Sequence, residues 1–311
     1  MEKQQKIKIG TRGSKLALYQ ANEVKDRLIA AHGEIDLEIE ILVISTSGDR
    51  IQDKALRDFG GKGLFTKEIE EALIDFDIDL AVHSMKDVQT LLPEGLLIPC
   101  ILPREDVRDA FISLNASSIN DLKEGAVVGT ASLRRQAQVK QVRPDLKVVN
   151  FRGSVETRLQ KIAEGVVDAT FLAVAGLNRL GLSDKITSKI PVDVMLPAVA
   201  QGAIGVECRA DDAPVLELIS NLNHLETQSA IMAERSLLRV LDGSCRTPIA
   251  AIAEISDELL RLRGQILAPD GSTVFTHEVT GDVRDALKIG VECGDALKRK
   301  AGSEFMAMLV K

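Results

Sequence analysis

One strand, turn and helix arrangement is written twice in this chain, and that repetition constrains the fold more than any other feature. Lys6 to Gly10 alternates as a strand and Thr11 to Ser14 forms a turn. Ala17, Ala21, Val24 and Leu28 then recur at helical spacing, with Ser14 placed as the N-cap. Much later, Ala126 to Gly129 reads as a strand, Thr130 to Ser132 as a turn, and Leu133, Ala137 and Val142 as the apolar positions of a helix. Each copy continues in the same order. The first runs through a strand from Leu37 to Val43, a long loop from Ser45 to Phe65, a helix capped by Thr66 with Ile69, Leu73 and Phe76 on one face, and a strand from Asp79 to His83. The second runs through a strand from Leu146 to Phe151, a helix from Ser154 with Val155, Leu159 and Ile162 inward, and a strand from Ala169 to Val174. Strands alternating with helices predict parallel sheets. Two such units, joined near Pro99 to Arg104, predict paired lobes with a ligand cleft beyond the carboxyl ends of the strands.

From about Thr227 the pattern changes to a helix, a Gly-Ser-Cys turn and two strands, Leu259 to Leu267 and Thr273 to Val279, around Pro269, Asp270 and Gly271. A last helix follows with Ala286, Ile289, Cys293 and Leu297 inward, so a small α+β domain is expected there. The 311 residues suit two or three domains.

Charge and composition narrow the function. With 39 Lys plus Arg against 46 Asp plus Glu, the net charge of −7 argues against a general nucleic-acid or anionic-membrane binder. Aromatic residues are 3% and Trp is absent, which leaves no stacking platform for single-stranded nucleic acid. The first residues carry no apolar stretch, and no apolar run of about 18 residues occurs, so a soluble, cytoplasmic protein is expected. The four Cys and four His are scattered without metal-ligand or disulfide spacing, and no metal site is expected.

Against this acidic background, Gly129 to Arg158 holds seven basic residues and two acidic ones. Lys140, Arg143 and Lys147 read as solvated helix faces. Arg134, Arg135 and Arg152 instead follow the Thr130/Ser132 turn or end a strand, where helix N-terminal N–H groups and guanidinium forks converge on carboxylate or phosphate. The run Phe59-Gly60-Gly61-Lys62-Gly63 fails the phosphate-loop pattern, and Lys62 belongs either to a flexible turn or to a mobile lid over an anion. His83-Ser84-Met85-Lys86-Asp87 sets a carboxylate beside a cation at the mouth of a strand, suited to acid/base or charge-stabilising work but equally to a plain loop. Cys100, Cys208 and Cys293 fall on apolar patterns and read as core. Cys245 lies in the polar turn Asp242 to Pro248, where a reactive thiol or attachment point competes with a buried structural Cys.

Eight segments taken together carry a family resemblance: GTRGSKLAL at Gly10, STSGD at Ser45, GGKGLF at Gly60, AVHSMKDV at Ala81, GTASLRRQ at Gly129, FRGSVETRL at Phe151, LAVAGLNRLGL at Leu172 and GSCRTP at Gly243. In order and spacing, over nearly the whole chain, they resemble the porphobilinogen deaminase (hydroxymethylbilane synthase) family of the tetrapyrrole pathway. The resemblance implies an α/β fold with two similar domains like bilobal anion-binding proteins and a small α+β C-terminal domain. The implied division is residues 1–102 with 200–222, then 103–199, then 223–311, the segment after Leu196 returning to the first domain. It implies a monomeric, cytoplasmic transferase of haem biosynthesis that condenses four porphobilinogens head to tail, with loss of ammonia, into linear hydroxymethylbilane. It also implies a dipyrromethane cofactor held by a thioether to Cys245.

By the same resemblance, Asp87 and Lys86 are the catalytic pair. Ser84, Lys86, Asp87, Thr130, Ser132, Arg134, Arg135 and Arg158 surround the cofactor. Arg12, Ser14, Lys62, Arg152, Arg158 and Arg179 bind substrate. The chemistry agrees: each pyrrole carries two carboxylates, so a growing chain is a polyanion suited to arginines, and a fixed carboxylate at Asp87 suits rings that become cationic during coupling. Gln89, Ala131, Ser154 and Ser244 depart from the family's commoner residues without removing a needed group. Asp58 stands where many members carry Lys, with Arg57 as the neighbouring substitute. A non-catalytic module binding a small anion is the competing class, disfavoured by the missing export signal and by Cys245.

Overall fold

Strand β1 (Gln5–Thr11) pairs in parallel with β2 (Leu37–Val43), Gln5 opposite Leu37 through Thr11 opposite Val43. A parallel pair needs a crossover, and helix α1 (Lys15–Ala31) supplies it. The helix starts where Ser14 Oγ accepts the Ala17 N–H at 3.2 Å, and it buries Ala17, Ala21, Val24 and Leu28, the residues whose spacing predicts it. The computed structural model describes residues 5–33, 37–50, 63–242 and 247–310. Lys62, Arg57, Asp58 and Cys245 therefore lie outside the described residues.

The chain continues through α2 (Ser47–Arg50), α3 (Lys67–Ile74), β3 (Leu80–Ser84) and β4 (Leu96–Ile101). Then come β5 (Asp109–Ser113), β6 (Val127–Gly129), α4 (Leu133–Val142), β7 (Lys147–Val149), α5 (Val155–Ala163), β8 (Ala169–Ala173), α6 (Val174–Arg179) and β9 (Ser188–Lys189). After these lie β10 (Ile204–Arg209), α7 (Ala213–Ser220) and α8 (Leu225–Val240). The last elements are β11 (Ile249–Ser256), β12 (Leu259–Leu267), β13 (Val274–Asp282) and α9 (Ala286–Val310), which breaks at Gly302.

The repetition is real. One five-stranded sheet has the order β2-β1-β3-β10-β4 and the other β7-β6-β8-β5-β9, so each strand of the first has a counterpart in the second. The alternation of strands and helices predicts parallel sheets, but neither sheet is wholly parallel. β10 runs antiparallel to β3 and β4, and β5 runs antiparallel to β8 and β9. β10 returns to its sheet from far beyond β4, and β5, the first strand of its own sheet in chain order, inserts between the last two, β8 and β9, which a local pattern of strand and helix does not encode. The repeated glycines have a packing reason: a Cβ at Gly10 would sit 2.3 Å from Ile78 Cδ1, and one at Gly129 would sit 2.6 Å from the Phe151 ring. At both strand ends the chain must pass a large side chain closely, and only Gly permits it.

The described residues within Met1–Gln52, Gly61–Glu105 and Ala203–Gln228 make one compact unit, and those within Asp106–Gly202 and Ser229–Lys311 make another. In the first, Ile7, Ile9, Val82 and Val206 pack against Val24 and Leu28 on one face of the sheet, while Ile69, Leu73 and Ile78 cover the other. In the second, Phe111, Val128, Val139 and Phe171 form one core and Ala110, Ile112, Phe151, Ile162 and Leu172 the opposite one. The same unit contains the three-stranded antiparallel sheet β11-β12-β13 with α9, whose Ala286, Ile289, Cys293 and Leu297 are buried as their spacing predicts. The fold is two α/β sheets of one topology plus a small α+β C-terminal domain.

Some local expectations change. Phe76 is not on the inner face of α3: the helix ends at Ile74, Phe76 has φ of +60° and its ring is exposed, with the Arg209 guanidinium 4.5 Å from its centre. The loop from Ser45 contains the short helix α2. In α4, Val142 is exposed, and the buried side chains are Arg134, Arg135, Ala137, Gln138 and Val139. β11 is a third strand where two were expected, because its run IAAIAEIS lacks the alternation that marks a half-buried strand.

Candidate active site

In the first unit, β1 and β3 are parallel neighbours, so the turns that follow them open on the same sheet end. Those turns carry Arg12, Ser14, Ser84, Lys86 and Asp87, and a recess there is lined by Arg12, Ser14, Gln20, Phe65, Ser84 and Asp87, among others. Ser14 is occupied as the cap of α1. Ser84 Oγ and the Gln20 amide exchange hydrogen bonds at 2.8 and 3.0 Å, so Gln20 joins the site from the second turn of α1.

Arg12 is held in place twice. Its Nε lies 3.2 Å from Asp49 Oδ1, and its guanidinium lies 4.3 Å from the centre of the Phe65 ring. Burial would raise the Asp49 carboxyl, but hydrogen bonds from Arg12 and Thr46 outweigh it and hold the group below its ordinary value. Beyond β3 the chain makes a single 3-10 turn, Met85–Asp87, anchored by buried Met85. Asp87 is exposed on that turn and has no hydrogen-bond or ion-pair partner among the described residues. Lys86 is half-buried beside it.

In the second unit the repeated turn places Thr130, Ser132, Arg134 and Arg135. Thr130 Oγ1 accepts from the Ser132 N–H at 3.1 Å, and Ser132 Oγ caps α4 by accepting from the Arg135 N–H. Arg134 and Arg135 then turn inward onto Asp109, the fully buried first residue of β5. Arg134 Nη2 lies 2.7 Å from Oδ2, Arg135 Nη2 lies 2.7 Å from Oδ1, and the Gln201 amide adds a bond of 3.1 Å to Oδ1. Arg134 Nη1 also donates to Leu196 O and Arg135 Nη1 to Phe171 O. Burial alone would raise the Asp109 carboxyl, but the two guanidiniums hold it far below its ordinary range.

One carboxylate thus serves two guanidiniums. Arg158, in the second turn of α5 behind the Ser154 cap, adds a third: its Nε is buried without a partner among the described residues. Burial, then the Arg135 charge, pulls the Arg158 guanidinium down to about 10. Arg134 Nε is likewise buried and unpartnered. Desolvated cations short of counter-charge, with unfilled donors, make a site for a ligand bearing several carboxylates. Arg152 sits half-buried before α5, and Arg179 donates from Nη2 to Gly202 O at 3.0 Å.

Residues 7–217 match the family model described as porphobilinogen deaminase, dipyromethane cofactor binding domain, and residues 228–299 match the one described as porphobilinogen deaminase, C-terminal domain. The chain belongs to the porphobilinogen deaminase family. It is 56% identical over 308 residues to the chloroplastic porphobilinogen deaminase of Oryza sativa subsp. japonica, covering 97% of this chain and 86% of that one. It is 54% identical over 302 residues to the porphobilinogen deaminase of Paracoccus denitrificans, covering 97% and 96%. Among solved structures it is similar to a periplasmic binding protein of Salmonella typhimurium with high arginine specificity, at TM-score 0.40 and 12% identity over 70% of this chain and 91% of that one.

For a porphobilinogen deaminase the decisive question is whether the residues present fit a dipyrromethane, which bears four carboxylates. They do: Arg134, Arg135 and Arg158 offer charge that Asp109 does not cancel, and both unpartnered Nε atoms lie within that group. Four residues of these sites carry little signal in the sequence. Asp109 and Asp49 are single acids in ordinary contexts, Gln20 is one polar residue on an amphipathic helix, and Phe65 ends a loop. The only clue to Asp109 is a charge at the head of the otherwise apolar strand DAFIS.

No described helix is long and apolar enough to cross a membrane.

Proposed function

We propose that this chain is a porphobilinogen deaminase, condensing four porphobilinogens head to tail, with release of ammonia, into linear hydroxymethylbilane. The observation that carries this is the excess of buried guanidinium in the second unit: Arg134 and Arg135 share one buried carboxylate, Arg158 adds a third cation that feels the Arg135 charge, and a polycarboxylate ligand completes the balance. The dipyrromethane supplies, when bound, a fixed pyrrole terminus on which substrate units are added. Cys245 holds it by a thioether. Thr130, Ser132, Arg134, Arg135 and Arg158 bind its carboxylates, together with Ser84 and Lys86. Arg12, Ser14, Lys62, Arg152, Arg158 and Arg179 receive the carboxylates of incoming substrate. Asp87 provides the charge that favours a pyrrole ring as it becomes cationic. The working division is residues 1–102 with 200–222, 103–199 and 223–311, in a cytoplasmic monomer.

Whole-protein mass under denaturing conditions tests the reading. Protein made in a porphobilinogen-producing host should carry an adduct of two pyrrole units on the peptide containing Cys245, and should convert porphobilinogen to hydroxymethylbilane. The bare polypeptide mass together with no turnover would support the anion-binding module instead.

Arg158 gives a prediction of opposite signs. A cation whose folded value lies below its ordinary one opposes folding at every pH below that lowered value, so removing the charge removes a penalty. Arg158→Gln should raise the melting temperature of cofactor-free protein yet lower the fraction recovered with cofactor, read by calorimetry and by mass. A fall in melting temperature would show that the guanidinium is already compensated within the fold.

A further inference from the structure

Behind the Ser84 end of β3 lie three buried titratable side chains to which the reading above gives no task. His83 is 5% exposed, Glu207 is 0% exposed on the neighbouring strand β10, and α3 contributes Glu70 at 4%. His83 Nε2 lies 2.8 Å from Glu207 Oε2. Glu207 Oε1 and Glu70 Oε1 are both buried with no hydrogen-bond partner among the described residues. Burial, reinforced by the Glu207 charge, raises the Glu70 carboxyl above its ordinary value.

A histidine that merely fills a core can satisfy its ring on a backbone carbonyl. This ring is backed by a fully buried carboxylate, and it lines the same recess as Ser84 and Asp87. A carboxylate accepting from Nε2–H fixes the tautomer and leaves a lone pair on Nδ1. An imidazole so oriented, opening on a recess, is built to take up and return a proton.

We propose that His83, with Glu207 as its positioning residue, first accepts the proton released from the pyrrole ring carbon at each coupling; this rests on the function proposed above. The balance is closed. The C–N bond of the substrate's aminomethylammonium breaks, its electron pair leaving on nitrogen as ammonia. The new C–C bond forms from a ring π pair, and the ring C–H then gives up its proton as aromaticity returns. His83 takes that proton on Nδ1 and passes it to the ammonia, which departs as ammonium, so the pair ends as it began. The charged groups around the ring are Glu207 from β10, Glu70 from α3, Asp87 beyond β3, and Arg12 after β1, itself paired with Asp49.

The test uses full-length holoenzyme with porphobilinogen. His83→Asn keeps a hydrogen bond to Glu207 but cannot accept a proton, and kcat should fall at least about tenfold with KM nearly unchanged, a loss that water in the recess moderates. Glu207→Gln leaves the ring without the carboxylate that holds its tautomer, so kcat should fall with KM nearly unchanged, and Glu207→Asp should restore part of the loss. The readout independent of turnover is 15N NMR of the four histidines, where His83 should show the Nε2–H tautomer in wild type and a mixture of tautomers in Glu207→Gln. A purely structural pair would lower thermal stability and leave kcat of the folded holoenzyme near wild type. Wild-type kcat in His83→Asn overturns the proposal. If that variant does not fold, Glu207→Gln decides, and wild-type kcat there overturns it equally. Wild-type holoenzyme that consumes no porphobilinogen overturns the parent reading and this one together.

Discussion

Asp87→Asn holoenzyme should turn over at least about a hundredfold more slowly than wild type, the loss expected for one preorganised electrostatic group. Two features of the site set that size. Asp87 has no partner among the described residues, so none of them cancels its charge, whereas the Arg12 charge in the same recess is already matched by Asp49. The 3-10 turn beneath it is pinned by buried Met85, whose N–H donates to Ala203 O at 3.0 Å, so the backbone that carries the carboxylate is set before any ring becomes cationic. Asn matches the shape and removes the charge. A neutral ring in the ground state loses little by that exchange and a cationic one loses much, so the defect belongs in kcat rather than KM. Asp87→Glu keeps the charge at a displaced position and should retain more activity. Both variants must first be shown by mass to carry dipyrromethane, because cofactor assembly uses the same couplings. A defect that vanishes at high porphobilinogen concentration would make Asp87 a ground-state binding residue and refute the argument.

Elements defined by local patterns follow directly from the sequence. Ser14 and Ser154 cap the helices they precede, β2 occupies Leu37 to Val43, and the inward residues of α9 are the predicted ones, because each depends on neighbours within a few positions. Features decided by distant partners do not. β10 lies between β3 and β4, and β5 between β8 and β9, and nothing inside either short run names those neighbours. The clearest case is α4. Apolar spacing puts Leu133, Ala137 and Val142 inward, and Ala137 is buried as expected, but Val142 is exposed and the helix turns Arg134 and Arg135 into the protein, since Asp109 and two backbone carbonyls reward their burial. The basic cluster was readable as an anion site from its density of charge. That two of its members are nine-tenths buried and already half-committed was not, because the responsible carboxylate sits in a separate segment with no motif around it.

Asp109 consequently carries the second large prediction, which concerns folding and function at once. Asp109→Asn should destabilise the protein by about 3–5 kcal/mol, the cost of leaving buried charges without their partner. Exposed pairs set the contrast. Arg261 and Glu278 meet through two bonds of 2.7 Å, geometry as good as that at Asp109, but both lie on the solvent face of the C-terminal sheet. Glu278→Gln should therefore leave the urea midpoint where it is, while Asp109→Asn moves it strongly. The sign with pH follows from the depressed carboxyl. Its stabilisation is complete above the unfolded carboxyl value of about 4 and is lost only as pH falls toward the lower folded value. Wild type should lose this contribution in strong acid, and Asp109→Asn should show no such loss there. In the site, Arg134 loses its bond to the second carboxylate oxygen and is left with Leu196 O, while Arg135 keeps one neutral acceptor in place of a charged one. Ordered guanidiniums bind carboxylates because their orientation is settled before the ligand arrives. Asp109→Asn should therefore also recover less cofactor by mass, even at temperatures where the variant remains folded. Unchanged stability with full cofactor content would show that the two arginines do not depend on this carboxylate, and the charge balance argued for the second unit would fall with it.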